Sequence, residues 1–479
     1  MQPHLLTTRS NRVAKPQEFS AAKPPRFDWP LAYAAEARLR QQIELFLGQH
    51  RAAKQLAQRM HDETGTDFFE CVDHLVITPE NEAALIQAGF VRETRCETPR
   101  GEIVLEHPRA ILPRVLLRRS KHSPSLVAIK PEFVADFIAH HHLHNAPEGE
   151  PCSRYRRVLV AEENGRRLEA VERRAYRGFV PAPLKRGELQ AIVKARELFH
   201  TRPRQWADDH KGFAAANRIL KCVLRLVGRD VACHLFFEAE RAYWESRNRA
   251  ARIQKFRQDT LGLGWGNHDH HTFRSSREHF ADLVAFLQKL GLQKRERFYA
   301  GAEAGWGAQV MEQPVTGIVV FADVDLTPEE TEIDFSIKRL PRTKSLGTVG
   351  LWVGLHGESF LDAGMHHLEA RFDFDSLRDQ LQQEGVNTMK PFSDFEFLRQ
   401  AFTEGERWPV RRERAERLVN AGLLTQAQCE QFVRDGAIGS HLENLQRHGG
   451  FKGFNQKAVS AIIAATDPRK QAANHAKAA

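Results

Sequence analysis

The sequence predicts an α+β protein: repeated β-α-β-β-β units closing into a half-barrel around a central site, with helical insertions between them. Three observations carry this prediction. Strand, helix, glycine stop and further strands follow one another in "FFECVDHLVITPENEAALIQAGFVRETRCETPRGEIVLEHPRAILPRVLLRR". The same order returns in "NHDHHTFRSSREHFADLVAFLQKLGLQKRERFYAGAEAGWGAQVMEQPVTGIVVFADVDL". Between them lies a stretch whose apolar residues recur at helical spacing. Setting Asp73-His74 against Asp269-His270 gives an offset of 196 residues, and six further residues in the second copy bring "LIQAGF" opposite "LQKLGL", which marks an internal repeat.

Taken in chain order, residues 1–27 carry prolines and little periodicity and read as a disordered tail; being basic, they leave a transit peptide as the alternative. From Trp29 to about Glu63 the apolar spacing predicts one or two amphipathic helices. Residues 28–184 hold these helices and the first, degenerate β-α-β-β unit, in which Thr78 caps the helix and Pro79 enters its first turn. Residues 185–260 form a helical insert. Residues 261–468 are the candidate metal-binding region, with a third, shorter unit opening at "MHHLEARFDFDSLRDQLQQEGV". Within it, "SDFEFLRQAF" through "LTQAQCEQFVRDG" reads as helical, and a late strand carries "GSHLENLQR". Residues 469–479 read as a second tail.

Composition narrows the function classes. Apolar residues make up 42% of 479 and never run to eighteen in a row, so no segment is predicted to span a bilayer. The six cysteines include no C-x-x-C pair, which fits free thiols in a reducing, cytoplasmic setting. The net charge of +9 suits an anionic small substrate. Its basic residues are interleaved with acids and apolar positions, and no recognition-module signature is present, which argues against nucleic acid. Nothing in the pattern fixes an oligomeric state.

The chemistry concentrates in "GWGNHDHHTFRSS", residues 264–276. As a strand, this segment puts His268, His270, Thr272 and Arg274 on one face and Asp269, His271 and Phe273 on the other. A histidine with an arginine four residues along the same face can hold a metal and, beside it, an anionic group of the metal's ligand. A facial triad for iron(II) needs two histidines and one carboxylate. His366 or His367 in the next unit, and Glu443 in the late strand, are the downstream candidates. Counting from His270 to His367 and on to Glu443, the spacings are 97 and 76 residues, one ligand per unit. A cupin pattern fails because the first acid after His270 is Glu278, and a metal phosphohydrolase would need helical ligands that "HTFRSS" does not supply.

The run "NHDHHTFRSS…LVAFLQKLGL" resembles the opening of the 2-oxoadipate dioxygenase/decarboxylase family of the vicinal oxygen chelate superfamily. "GIVVFADVDL", "GMHHLEARFDFDSLRDQLQQEGV" and "HLENLQRHGGFKGFNQKAVSAIIAATD" follow in the family's order, so the resemblance spans about residues 262–468. It implies metal ligands at His270, His367 and Glu443, a substrate-carboxylate arginine at Arg274, and Fe(II) as cofactor. The implied reaction takes a small anionic 2-oxo acid and O2 to CO2 and a 2-hydroxy acid, as 2-oxoadipate to 2-hydroxyglutarate. Two departures stand out: a shifted register or an aspartate, Asp323, stands where the family has a glutamate, and the N-terminal copy has Thr78 where Arg274 corresponds, so that copy should lack an oxo-acid site. Another metal-dependent enzyme of this superfamily, or a non-catalytic binding protein on the same scaffold, is the alternative.

Overall fold

The computed structural model describes residues 29–99, 101–118 and 124–455. The segments read as tails, and the end of the 261–468 region, lie outside the described residues. Leu39, Ile43 and Phe46 bury one face of α1 (Tyr33–Leu47), and Ala53, Leu56 and Met60 bury that of α2 (Arg51–Thr64). Gly65 ends α2 at φ 65°, where an added Cβ would lie 2.9 Å from the Leu377 Cα, so this junction packs backbone against backbone.

The first sheet contains β1 (Val72–Ile77), then, after the short α3 (Glu82–Gln87), β2 (Val91–Glu93), β3 (Ile103–Glu106) and β4 (Arg114–Leu117). It continues through β5 (Ser125–Ile129), α4 (Val134–His140), β6 (Tyr155–Glu163) and β7 (Arg166–Arg173). Its order is β2-β3-β4-β1-β5-β7-β6. The sequence reading ended this unit at β4. It missed the β6–β7 hairpin, whose Asn164-Gly165 turn has both residues at positive φ, the geometry a tight hairpin requires.

Four helices follow: α5 (Glu188–His200), α6 (Asp209–Val227), α7 (Arg229–Ser246) and α8 (Arg249–Asp259). The last two are separated at Asn248, whose side chain accepts from the Ala251 N–H as a cap. Their apolar stripes, with Phe236 and Phe237, pack against Phe273 and Phe286 of the next unit.

The second sheet begins with β8 (His268–Arg274), α9 (Phe280–Lys289), β9 (Gln293–Tyr299), β10 (Trp306–Glu312) and β11 (Val319–Asp325). After α10 (Thr348–His356) come β12 (His367–Arg371), α11 (Phe374–Gln383), β13 (Ser393–Phe395), β14 (Leu398–Phe402) and β15 (Glu406–Trp408). Helices α12 (Arg412–Asn420) and α13 (Gln426–Asp435) lead into β16 (Ala437–Arg447). The run β9-β10-β11-β8-β12-β16-β14 repeats the order of the first sheet, with the same parallel pairings at β1–β4 and β8–β11 and at β5–β7 and β12–β16. The fold is therefore α+β, two curled sheets of paired units with helical insertions, as expected.

Two readings are corrected. "SDFEFLRQAF" is not helical but forms β13 and β14, which pair with each other, and β14 pairs across to β16. The simple alternation of β8 also fails at its start. His270 faces Glu369 and His268 faces Ala370 on β12, so Asp269 is an extra, bulged residue. The bulge turns His268 away from the His270 face, to lie 5.5 Å from the His271 ring, and brings Asp269 against His270 instead.

Candidate functional site

The concave face of the second sheet encloses a cavity of about 80 Å³ lined from β8 through β12, β14 and β16. Strand register fixes its floor. His270, Glu369 and Glu443 lie side by side across β8, β12 and β16, and Thr272, His367 and His441 form the next rung. Asp323 on β11 sits opposite Arg274. Phe298, Trp306, Phe321, Trp352, Phe392 and Phe402 supply most of the apolar wall.

The three residues singled out from the sequence meet here: the ligand atoms of His270, His367 and Glu443 all lie within 4.8 Å of one another, and all three side chains are buried. His367 Nε2 is 3.1 Å from Glu443 Oε2, and the Thr272 hydroxyl is 2.8 Å from the same nitrogen. His366 is not in this group; its Nδ1 lies 2.9 Å from His367 Nδ1. His271 points to the far side of the sheet, toward Phe237 and Arg241.

Glu369 was missed from the sequence. It sits fully buried between the named residues, with Oε2 2.5 Å from His270 Nε2 and no hydrogen-bond donor on that oxygen among the described residues. Its signal was available: two residues after His367 on one strand, it must share that residue's face. Gln400, hidden in the segment read as helix, donates to Oε1 of both Glu369 and Glu443 at 3.1 Å. Asp269 lies 3.2 Å from His270 Nδ1, and Arg447 donates to both Asp269 oxygens at 3.0 and 3.2 Å. With Nδ1 donating to Asp269, His270 presents the Nε2 lone pair to the cavity.

Burial governs the charges. It holds His367 and His441 to about 3 and lowers His270, so the imidazoles are neutral. It raises Glu443 to about 7 against the attraction of His270, and raises Glu369 well above the carboxylate range with Glu443 adding to the effect. Asp323 is likewise pushed up to about 7 by burial, with Arg274 opposing. Arg274, the one Lys or Arg among the lining residues, is drawn down to about 10 by burial against the pull of Asp323 and Asp325. Its Nε has no hydrogen-bond partner among the described residues, and its guanidinium stands 5.6 Å from the Trp352 ring. Neutral imidazoles, crowded carboxylates and a buried guanidinium with a free Nε in one cavity suit a divalent cation and an anionic ligand. No helix among the described residues is long and apolar enough to cross a membrane.

No family model and no curated protein matches the chain. Among solved structures it is similar to a triple mutant of 4-hydroxymandelate synthase from Streptomyces coelicolor, at 13% identity and TM-score 0.28 over 84% of this chain and 99% of that one. It is also similar to the uncharacterized protein YdcJ from Shigella flexneri, which includes domain DUF1338, at 13% identity and TM-score 0.24 over 54% and 73%. Methylmalonyl-CoA epimerase from Mycobacterium tuberculosis follows at 12% identity and TM-score 0.21 over 38% and 88%. At these scores the likenesses carry no argument about activity, which rests on the geometry of the site.

Proposed function

We propose that this chain is an Fe(II)-dependent dioxygenase and decarboxylase of a 2-oxo acid of the 2-oxoadipate class. The observation that supports the reading is the meeting of His270, His367 and Glu443 in a cavity whose single lining cation among the described residues, Arg274, has no hydrogen-bond partner on Nε. The donor set fits the metal: two neutral imidazoles and a carboxylate are the ligand types of a facial triad, with the buried Glu369 carboxyl beside them, 2.5 Å from His270 Nε2. His270, His367 and Glu443 would hold the ion. When bound, iron would supply Lewis acidity toward the oxo acid and the redox chemistry that O2 requires. The reaction balances as 2-oxoadipate plus O2 giving 2-hydroxyglutarate plus CO2.

The chain's own residues position and shield. Arg274 pairs with a substrate carboxylate, and the aromatic wall keeps water from the reacting carbon. Asp269, clasped by Arg447, fixes the His270 ring, and Gln400 holds the two glutamates in place. Asp323 stores a proton opposite Arg274 near neutral pH.

One observation favours a second reading. Glu369, a further buried acid beside the three candidate ligands, is suited to moving a proton in a metal-dependent isomerase or lyase. Oxygen uptake on adding Fe(II) and 2-oxoadipate, abolished in His270→Ala and in Glu443→Ala, is the result expected of the dioxygenase. Turnover without oxygen would transfer the site to the second class, and failure to bind any divalent metal would overturn both.

A further inference from the structure

A second cavity, of about 800 Å³, lies where the two sheets face one another, bounded by β1 and β4 on one side and by β8 and β11 on the other. Both bulged aspartates, Asp73 and Asp269, reach it. Eight lysine and arginine side chains line it against five aspartates and glutamates. Most of these cations already have counter-ions. Arg447 is held by Asp269, Arg371 by Glu70 at 3.0 Å, and Lys452 by Glu312 at 2.8 Å.

Two do not. Lys130 follows β5 at the position that Arg371 occupies on β12, since Ala128 and Glu369 hold the same place opposite His74 and His270. Arg371 has Glu70, whereas Lys130 has no side-chain partner among the described residues. The nearby acid, Asp73, is spent: Arg173 takes both its oxygens at 2.7 and 2.8 Å, and His74 Nδ1 lies 2.7 Å from one of them. Arg114 on β4, opposite His74, donates to the Arg177 carbonyl at 2.5 Å and meets Cys96 Sγ at 3.6 Å, but reaches no carboxylate. A desolvated cation without a counter-ion is costly unless an anion completes it.

We propose that the inter-sheet cavity is an oxyanion-binding site, distinct from the cavity of His270 and Arg274, in which Lys130 and Arg114 receive a phosphate or carboxylate. The ligand is a small, multiply charged anion. Its two sources are a free phosphate and the oxo acid itself, because His270, Phe321 and Phe454 line both cavities and so form the wall between them.

The test is calorimetric titration of the full-length chain with inorganic phosphate at constant ionic strength. The expected result is saturable binding that Lys130→Met weakens at least tenfold, that Lys130→Arg retains, and that Arg274→Met leaves unchanged. Because Lys130 has no partner to lose, Lys130→Met should also keep or raise the thermal midpoint, so lost binding cannot be put down to unfolding. Displacement of phosphate by 2-oxoadipate in Arg274→Met would identify the substrate as a ligand of this site; phosphate that resists displacement would identify a separate effector. Absence of saturable phosphate binding, undiminished binding by Lys130→Met, or loss of binding in Arg274→Met would overturn the proposal, whatever the activity of the enzyme.

Discussion

Arg274→Met should move stability and activity in opposite directions. The guanidinium is buried, its Nε is unpartnered, and burial draws its pKa from the ordinary arginine value to about 10 even with Asp323 opposite. That displacement corresponds to about 3 kcal/mol of cost to the folded chain at every pH below about 10. Methionine keeps the length and apolar contacts of the side chain. The metal-free variant should therefore be more stable than the parent by up to about 3 kcal/mol, the gain being trimmed because Asp323 loses its one attractive partner. Activity should fall instead. A desolvated charge-assisted pair with a substrate carboxylate is worth about 2 to 4 kcal/mol, which is roughly 30- to 1000-fold in kcat/KM. Urea unfolding of the metal-free proteins reads the first effect, and oxygen uptake against 2-oxo acid concentration reads the second. A loss of stability greater than about 1 kcal/mol together with unchanged kcat/KM would refute the reasoning and make Arg274 a structural residue.

Asp323, raised by burial to about 7, keeps a proton in the folded chain between about pH 4 and 7 that the unfolded chain has released. The folded state binds the extra proton, so stability of the metal-free protein should fall as pH rises through that window, by up to about 4 kcal/mol, and level off above it; urea midpoints at pH 5 and 8 check this, and Asp323→Asn should narrow the gap between them. Asp269→Asn, which weakens the hold on His270, should reduce affinity for Fe(II) or Co(II) about 10- to 100-fold, read by metal titration; unchanged affinity would detach Asp269 from the site. Gln400→Leu strips a donor from both Glu369 and Glu443 and should destabilise the metal-free chain by about 1–3 kcal/mol in chemical unfolding, whereas an unchanged unfolding free energy would mean that the amide holds neither acid.

The repeat was legible because its signals are local: an Asp-His opening, a glycine stop and apolar strands recur in the same order, and the structure shows the same strand order twice. His270, His367 and Glu443 were nameable because a family resemblance supplied what spacing could not, and the structure brings them into one cavity. What escaped depended on register. A bulge at Asp269 cannot be read from alternation, since the extra residue is defined only by its partner strand. Gln400 escaped because "FEFLRQAF" fits helical spacing as well as strand alternation, and only pairing with β16 decides between them. Glu369 needed no structure, only alternation applied from His367 onward.

Comparing the two sheets separates what the architecture needs from what chemistry would need. By register the first sheet has His74 for His270, Ala128 for Glu369 and Glu169 for Glu443, and one rung further Leu126 for His367. Leu126 and Ala128 remove two of the four donors, and the interior that would hold an ion is closed by Tyr155, Val171 and Phe179, the last 4.9 Å from the His74 ring. Yet the bulged aspartate, its arginine and its histidine persist, as Asp73, Arg173 and His74, with contacts of 2.7 to 2.8 Å. A buried bulge that presents a carboxylate must be neutralised whether or not a metal lies beside it. The clasp is thus a requirement of the strand itself. In the second sheet the same clasp does additional work, since the histidine it orients stands next to two glutamates and a second imidazole rather than against packed side chains.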